Sequence, residues 1–219
     1  MLSPFSAQEP CARSSRPGRA RAWVRRAAGL LTAAGLGGAL LGCSPALDWR
    51  QAGPARVDVL MDFPCKPQTV TQAVTLAGRR LDMSMTGCET AHMTFALAHA
   101  DVGQGPLVAP ALAELRQAAQ ANIAARVLQQ RTPSIRHAAD GDAAPRELDL
   151  AGRDPRGGAL REHVLLFAQG TQVFQATVLA RESDYKDDAA RTFAGSVQLG
   201  AGAAHAPAAP AAPGSRPHG

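Results

Sequence analysis

The sequence predicts an α+β domain, an antiparallel sheet flanked by two helices in the order ββββ-α-βββ-α. Three observations carry this. Residues 56–100 hold four stretches that alternate apolar and polar side chains, with short breaks between them. Residues 106–130 switch to apolar side chains at three- and four-residue spacing. Three more alternating stretches and one short amphipathic segment then run to residue 199. The short connections favour antiparallel neighbours over parallel crossovers.

The first strand spans 56–63, with Val57, Val59 and Met61 alternating against Asp58, Leu60 and Asp62. Phe63-Pro64-Cys65-Lys66-Pro67 stops it, since proline cannot donate to a central ladder. The second strand, 68–77, is rich in Thr and Val, and Gly78 marks its turn. The third, 79–88, sets Leu81, Met83 and Met85 on one face; the fourth, 90–100, does the same with Met93, Phe95 and Leu97. A helix is expected over 106–130, where Leu112, Leu115, Ala119, Ile123 and Val127 form one stripe. A polar loop, 131–145, follows with His137, Asp140 and Asp142, read as loop surface in preference to a metal site. Strands at 147–151, 159–168 and 171–180 make the second group, with Gln169-Gly170 as a hairpin tip. Ser183 caps the closing helix, Asp184, Asp187 and Asp188 complement its positive end, and Tyr185, Ala189, Phe193 and Val197 form its apolar face.

Charge belongs to one end of the chain. Arg13, Arg16, Arg19, Arg21, Arg25 and Arg26, less one glutamate, supply the whole net charge of +5 within the first 42 residues; the rest balances at 17 basic against 17 acidic residues. No basic patch with interleaved aromatics exists in that remainder, which argues against nucleic acid as a partner. The arginines are followed by an uncharged Ala/Leu/Gly run from Ala27 to Leu41, long enough for a signal h-region and short for a membrane span of about 20 residues. Arg25-Arg26 is a weak hint of twin-arginine export.

The run ends in Leu40-Leu41-Gly42-Cys43, which resembles the lipobox of bacterial lipoprotein precursors. The resemblance implies cleavage before Cys43 by signal peptidase II, with Leu40, Leu41 and Gly42 as the recognised residues, and lipidation of Cys43. It makes 1–42 a signal peptide and 43–55 a lipidated, Pro-containing tether. It leaves 56–199 as a single domain and 200–219 as an Ala/Pro/Gly tail with too little apolar bulk to fold. Ser44 after the cysteine implies the outer membrane, facing the periplasm. Cleavage would remove Cys11 and cap Cys43, leaving Cys65 and Cys88. In an oxidising compartment such a pair reads as a disulfide, and a hairpin between the second and third strands brings the two ends together. Two free thiols, or a metal site completed by His92 or His99, are the other readings.

Two features resemble PsbP-like domains: Phe63-Pro64 ending the first strand, and the segment Gly170–Val178 followed by an Ala-rich helix with Phe193 and Ser196. The layout is also similar to that of uncharacterised proteobacterial envelope lipoproteins. The resemblance implies a sheet sandwiched by helices, a PsbP-like sandwich, acting as an assembly or binding module. It supplies no catalytic residues.

Chemistry is not visible in the residues themselves. There is no G-x-S-x-G elbow, no phosphate-cradling glycine loop and no H-E-x-x-H. His92 and His99, seven apart, fall on opposite faces of a strand, and His163 beside Glu162 reads as sheet surface. The expectation is a non-enzymatic envelope lipoprotein without catalytic residues, metal or cofactor, held to the membrane by its lipid and binding an envelope protein partner. The alternative is a carrier of a small apolar ligand or lipid, with Met83, Met85 and Met93 lining the pocket.

Overall fold

The computed structural model describes residues 47–201, Arg56 excepted. Leu40, Leu41, Gly42 and Cys43 lie outside the described residues, as do the basic pre-sequence and the tail from 202 onward.

The chain is mostly β, not the balanced α+β sandwich that the periodicities and the PsbP-like resemblance suggested. The described residues hold ten strands in two antiparallel sheets and two α-helices. In chain order the strands are β1 Arg50–Ala52, β2 Val59–Phe63, β3 Gln68–Leu76, β4 Arg79–Thr90 and β5 Met93–Asp101. Helix α1, Val108–Asn122, leads to β6 Arg126–Arg131, β7 Arg146–Arg153, β8 Ala159–Gln169 and β9 Gln172–Arg181. Helix α2, Asp187–Gly195, and β10, Gln198–Leu199, complete the fold. Seven strands form one sheet in the order β3-β4-β5-β9-β8-β7-β6, and the other three form a small sheet, β1-β2-β10.

Three differences from the predicted layout produce this shift. The prolines at 64 and 67 separate β2 from the large sheet, so it pairs with β1 and β10 instead. Part of the expected 43–55 tether is structured: Arg50–Ala52 is β1, and Leu47 and Trp49 pack on the core. The expected long helix ends at Asn122, and Val127 lies in β6. The helix end is a Schellman closure. Ala125 N–H donates to Gln120 O (2.7 Å), Ala124 N–H donates to Ala121 O (3.2 Å), and Ala124 takes φ 46°. Glycine normally occupies that left-handed position; alanine there gives no stop signal in the sequence. Gly152 then receives the chain end: a Cβ on it would sit 2.1 Å from Ile123 O. The second helix starts later than expected, with Lys186 at its N-cap position and Ser183 in the preceding turn.

Alternation along the large sheet yields two buried faces. On the aromatic face, Met93, Phe95, Leu97, Phe167 and Phe174 pack against Met61 and Phe63 of β2 and Phe193 of α2. Phe193 is the hinge of this layer, edge-on to Phe63 at 5.2 Å and to Phe95 at 5.5 Å between ring centres. Ser196 ties α2 to β2, accepting from Asp62 N–H (2.9 Å) while donating to Phe193 O (2.7 Å). On the aliphatic face, α1 lays Val108, Ala111, Leu112, Leu115 and Ala119 over Leu148, Leu150, Val164, Leu166 and Val173. Cys65 and Cys88 form a disulfide with their Cα atoms 6.0 Å apart, joining the entry to β3 with the end of β4. Closing that loop contributes about 3 kcal/mol in the chain-entropy model. Both sulfurs are thereby committed, so neither the free-thiol nor the metal reading applies.

The β4–β5 hairpin turns through Ala91 (φ 50°) and His92 (φ 60°), two left-handed residues in a two-residue connection. Such a turn favours Asn-Gly, and each L-residue with a Cβ there costs about 1 kcal/mol. Replacing Ala91 and His92 together by Asn and Gly is expected to raise unfolding free energy by about 1–2 kcal/mol, read as a higher midpoint in urea.

Candidate functional site

The polar residues that the fold gathers most tightly lie on the aromatic face, across β6, β7 and β8. The alternation Glu147-Leu148-Asp149-Leu150 puts both carboxylates on one side of β7 and both leucines on the other. Register does the rest: Arg131 of β6 stands opposite Glu147, and His163 of β8 stands opposite Asp149.

His163 is only 1% exposed. Its Nδ1 lies 2.7 Å from Asp149 Oδ1, and its Nε2 lies 3.0 Å from Glu147 Oε1. The first contact is a well-formed hydrogen bond; the second is a charge contact off the hydrogen-bond axis. Arg131 Nε donates to Glu147 Oε2 at 3.1 Å, and its terminal nitrogen reaches Asp149 Oδ2 at 3.4 Å. Each carboxylate thus bridges the guanidinium and the imidazole. Two carboxylates, one guanidinium and one imidazole thus share the site. Tyr185 and Arg161 form the cluster's flank, the guanidinium 5.1 Å over the phenol ring. Burial first, then the charge of Asp149, pushes the Tyr185 hydroxyl well above the usual tyrosine range.

Glu162 points the other way. It sits on the aliphatic face between Leu150 and Leu179, 6% exposed, with Oε2 lacking a hydrogen-bond partner. Burial pushes its carboxyl up to about 8, so it is largely protonated at neutral pH.

This arrangement holds charge in place and exposes little of it. Among the described residues, no group of three or more His, Cys, Asp and Glu is placed to hold a metal ion. The expectation that His163 is sheet surface is wrong: an acidic alternation on β7 reads as a solvent face until the Asp149–His163 register is known. Among the described residues, the other histidines stay apart from it. His92 is exposed in its turn; His99 lies on the aromatic face beside Phe174, where burial lowers its basicity. His137 and Asp142 are exposed, with Asp142 in the turn Gly141–Ala143.

The three methionines considered for a carrier pocket do not converge. Met93 is fully buried on the aromatic face, whereas Met83 and Met85 are half-buried on the aliphatic face. A cleft between α1 and residues 142–146 encloses about 120 Å³, lined by Leu112, Arg116, Asp142 and Arg146 among others. Ligand pockets usually need about 300 Å³ or more; an open surface depression of about 460 Å³ at Ala159, Arg181, Glu182 and Ser183 exceeds that, but none of the three methionines lines it.

No family model matches the sequence, and no curated protein matches it. Among solved structures, a Pseudomonas aeruginosa protein of unknown function is similar at 12% identity, over 62% of this chain and 85% of that one, with a TM-score of 0.33. So distant a likeness assigns neither fold nor function.

Two outcomes follow from the cluster. His163→Ala leaves two carboxylates against one guanidinium in a buried site and is expected to cost about 3–5 kcal/mol in urea denaturation. The Asp149→Ala/His163→Ala double variant should cost clearly less than the sum of the single variants. For Glu162 the folded carboxyl binds its proton more tightly than the unfolded one. Its contribution is therefore full below its ordinary value of 4.5 and is lost as pH rises toward about 8. Glu162→Gln should gain stability relative to the wild type between pH 5 and pH 8.5, by roughly 1 kcal/mol or more, measured by denaturation at both pH values.

Proposed function

We propose that the protein is a non-enzymatic cell-envelope lipoprotein, anchored through lipid on Cys43, whose domain works as a protein-binding or assembly module. The observation that carries this reading is Leu40-Leu41-Gly42-Cys43 after a basic flank and an apolar run. Several features support it. The Cys65–Cys88 disulfide suits an oxidising compartment beyond the inner membrane. The balanced charge after residue 42 suits neither nucleic acid nor a strongly charged surface. The most chemically loaded cluster is internally paired around a buried His163, with only the Arg131 side open to solvent, which suits a structural role for it and a binding role for the surface.

The fold sharpens the anchor reading. Leu47 already packs on the core, so only residues 44–46 separate Cys43 from the folded domain. An extended link of that length reaches about 14 Å at most, which would hold the domain against the membrane surface. Ser44 favours the outer membrane under the lipoprotein resemblance. Stable anchoring needs more than one acyl chain, at about 0.8 kcal/mol per buried methylene.

In cells fed labelled palmitate, the wild-type chain should take up label and fractionate with membranes. Cys43→Ala should remain an unlabelled precursor. Persistent labelling of Cys43→Ala would remove the anchor assignment.

A further inference from the structure

We infer that β3 is a self-pairing edge, through which two copies of this chain join their large sheets into one. The inference names the partner for the binding-module reading above and rests on that part of it, not on the lipid anchor.

The two edges of the large sheet differ. The β6 edge is short, is flanked by Arg126 and Arg131, and carries a register shift between Val127 and Gln129. Charges and bulges of this kind are how sheets discourage further pairing, even though Val127 is 42% exposed there. The β3 edge has none of them. It runs nine residues, Gln68–Leu76, pairs with β4 without a register shift, and contains no charge and no proline. Its residues are exposed along almost its whole length, with Val70 at 48%. Among the described residues no strand pairs with its outer side.

The strand's sequence identifies the occupant. Gln68-Thr-Val-Thr-Gln-Ala-Val-Thr-Leu76 reads nearly the same in both directions. An antiparallel pair of two such strands about a two-fold axis at Gln72 sets Val70 opposite Val74, Thr69 opposite Thr75, and Thr71 opposite Ala73. Each of these pairs joins valine to valine or one small side chain to another, and none opposes like charges. Lys66 and Arg79 fall beyond the ends of the paired stretch.

Both faces continue across such a seam. On the aliphatic side Val70 and Val74 already stand beside Met85 and Leu81 of β4, and the second copy would extend that stripe. On the other side Thr69 bonds Thr86 (2.9 Å) and Thr71 bonds Ser84 (2.7 Å), hydroxyl to hydroxyl. Thr75 and Thr69 of the second copy would prolong that row. Isologous contact of one patch with itself gives a closed dimer and no open fibre.

The test uses the full chain in the cells that express it, whether or not it fractionates with membranes. Gln72→Cys places two thiols across the proposed axis; Gln129→Cys on the β6 edge and the wild type are controls for the native cysteines. After a short bis-maleimide, denaturing gels should show a dimer of Gln72→Cys well above both controls. Adding Val70→Lys should lower that dimer by about tenfold, since it breaks two equivalent cross-strand pairs. Circular dichroism of the purified Val70→Lys chain should match the wild type. A Gln72→Cys yield no higher than that of Gln129→Cys overturns the inference. So does a yield unchanged by Val70→Lys. Cross-linking of the Gln72→Cys chain to a different protein, in place of a second copy, also overturns self-pairing while leaving the binding-module reading in place. Palmitate labelling of Cys43 reads the anchor separately, so loss of one result does not decide the other.

Discussion

The pairing of β5 with β9 is the constraint on which the rest of the molecule depends. Nine consecutive residue pairs join Met93–Asp101 to Gln172–Ala180 across at least seventy residues of chain. Without that ladder the β3-β4-β5 meander and the β6-β9 meander would be two small sheets, each with a bare edge. With it there is one sheet whose central strands are buried on both faces. Closing so long a loop carries an entropy cost that grows only slowly with its length, and the two faces together offset it. The aromatic layer uses the joined strands directly: Phe95 of β5 and Phe174 of β9 lie in one buried cluster with Phe193. The small sheet and α2 therefore have a floor only after the two meanders have met.

Much of the sheet was legible because alternation survives burial on two faces. Phe95, Leu97 and Val178 declare their side whether or not a partner strand is known. What was not legible turned on tertiary choices. Alanine at the left-handed end of α1 let a helical period run on into β6, since no glycine marks the stop. Strands as short as Arg50–Ala52 and Gln198–Leu199 exist only because β2 pairs with them on either side. The disulfide was readable from compartment and hairpin geometry together. The buried cluster was not: Glu147 and Asp149 look like a solvent face, and His163 looks ordinary beside Glu162. Only the register that sets β7 against β6 and β8 turns these into one network.

That network and the hidden Glu162 show the sheet holding polar groups on both faces of adjacent strands. His163 faces the carboxylates of Glu147 and Asp149, while the preceding residue faces leucines, which favour a neutral carboxyl. One backbone step thus separates two opposite electrostatic solutions. The first is compensated by partners and the second by protonation. Neither requires an outside ligand, and this is why the cluster supports a structural role better than a catalytic one.

The geometry of the proposed self-pairing bears on the proposed anchor. A two-fold axis that joins two antiparallel edge strands stands perpendicular to the sheet, so each face of one copy continues into the same face of the other. The chain enters the domain on the aromatic side, where Leu47 and Trp49 pack over the same core that holds β2 and α2. In a β3-to-β3 dimer both entry segments would therefore lie on one side of the joined sheet. Two lipids on short links need that arrangement, because links of about 14 Å cannot pass around a domain to reach the membrane from opposite sides. An axis lying in the sheet plane would place the two anchors on opposite sides and forbid it. The membrane would also confine copies to a plane and raise their effective concentration, so a seam made of small Thr and Val pairs need not be strong in dilute solution to be populated at the surface.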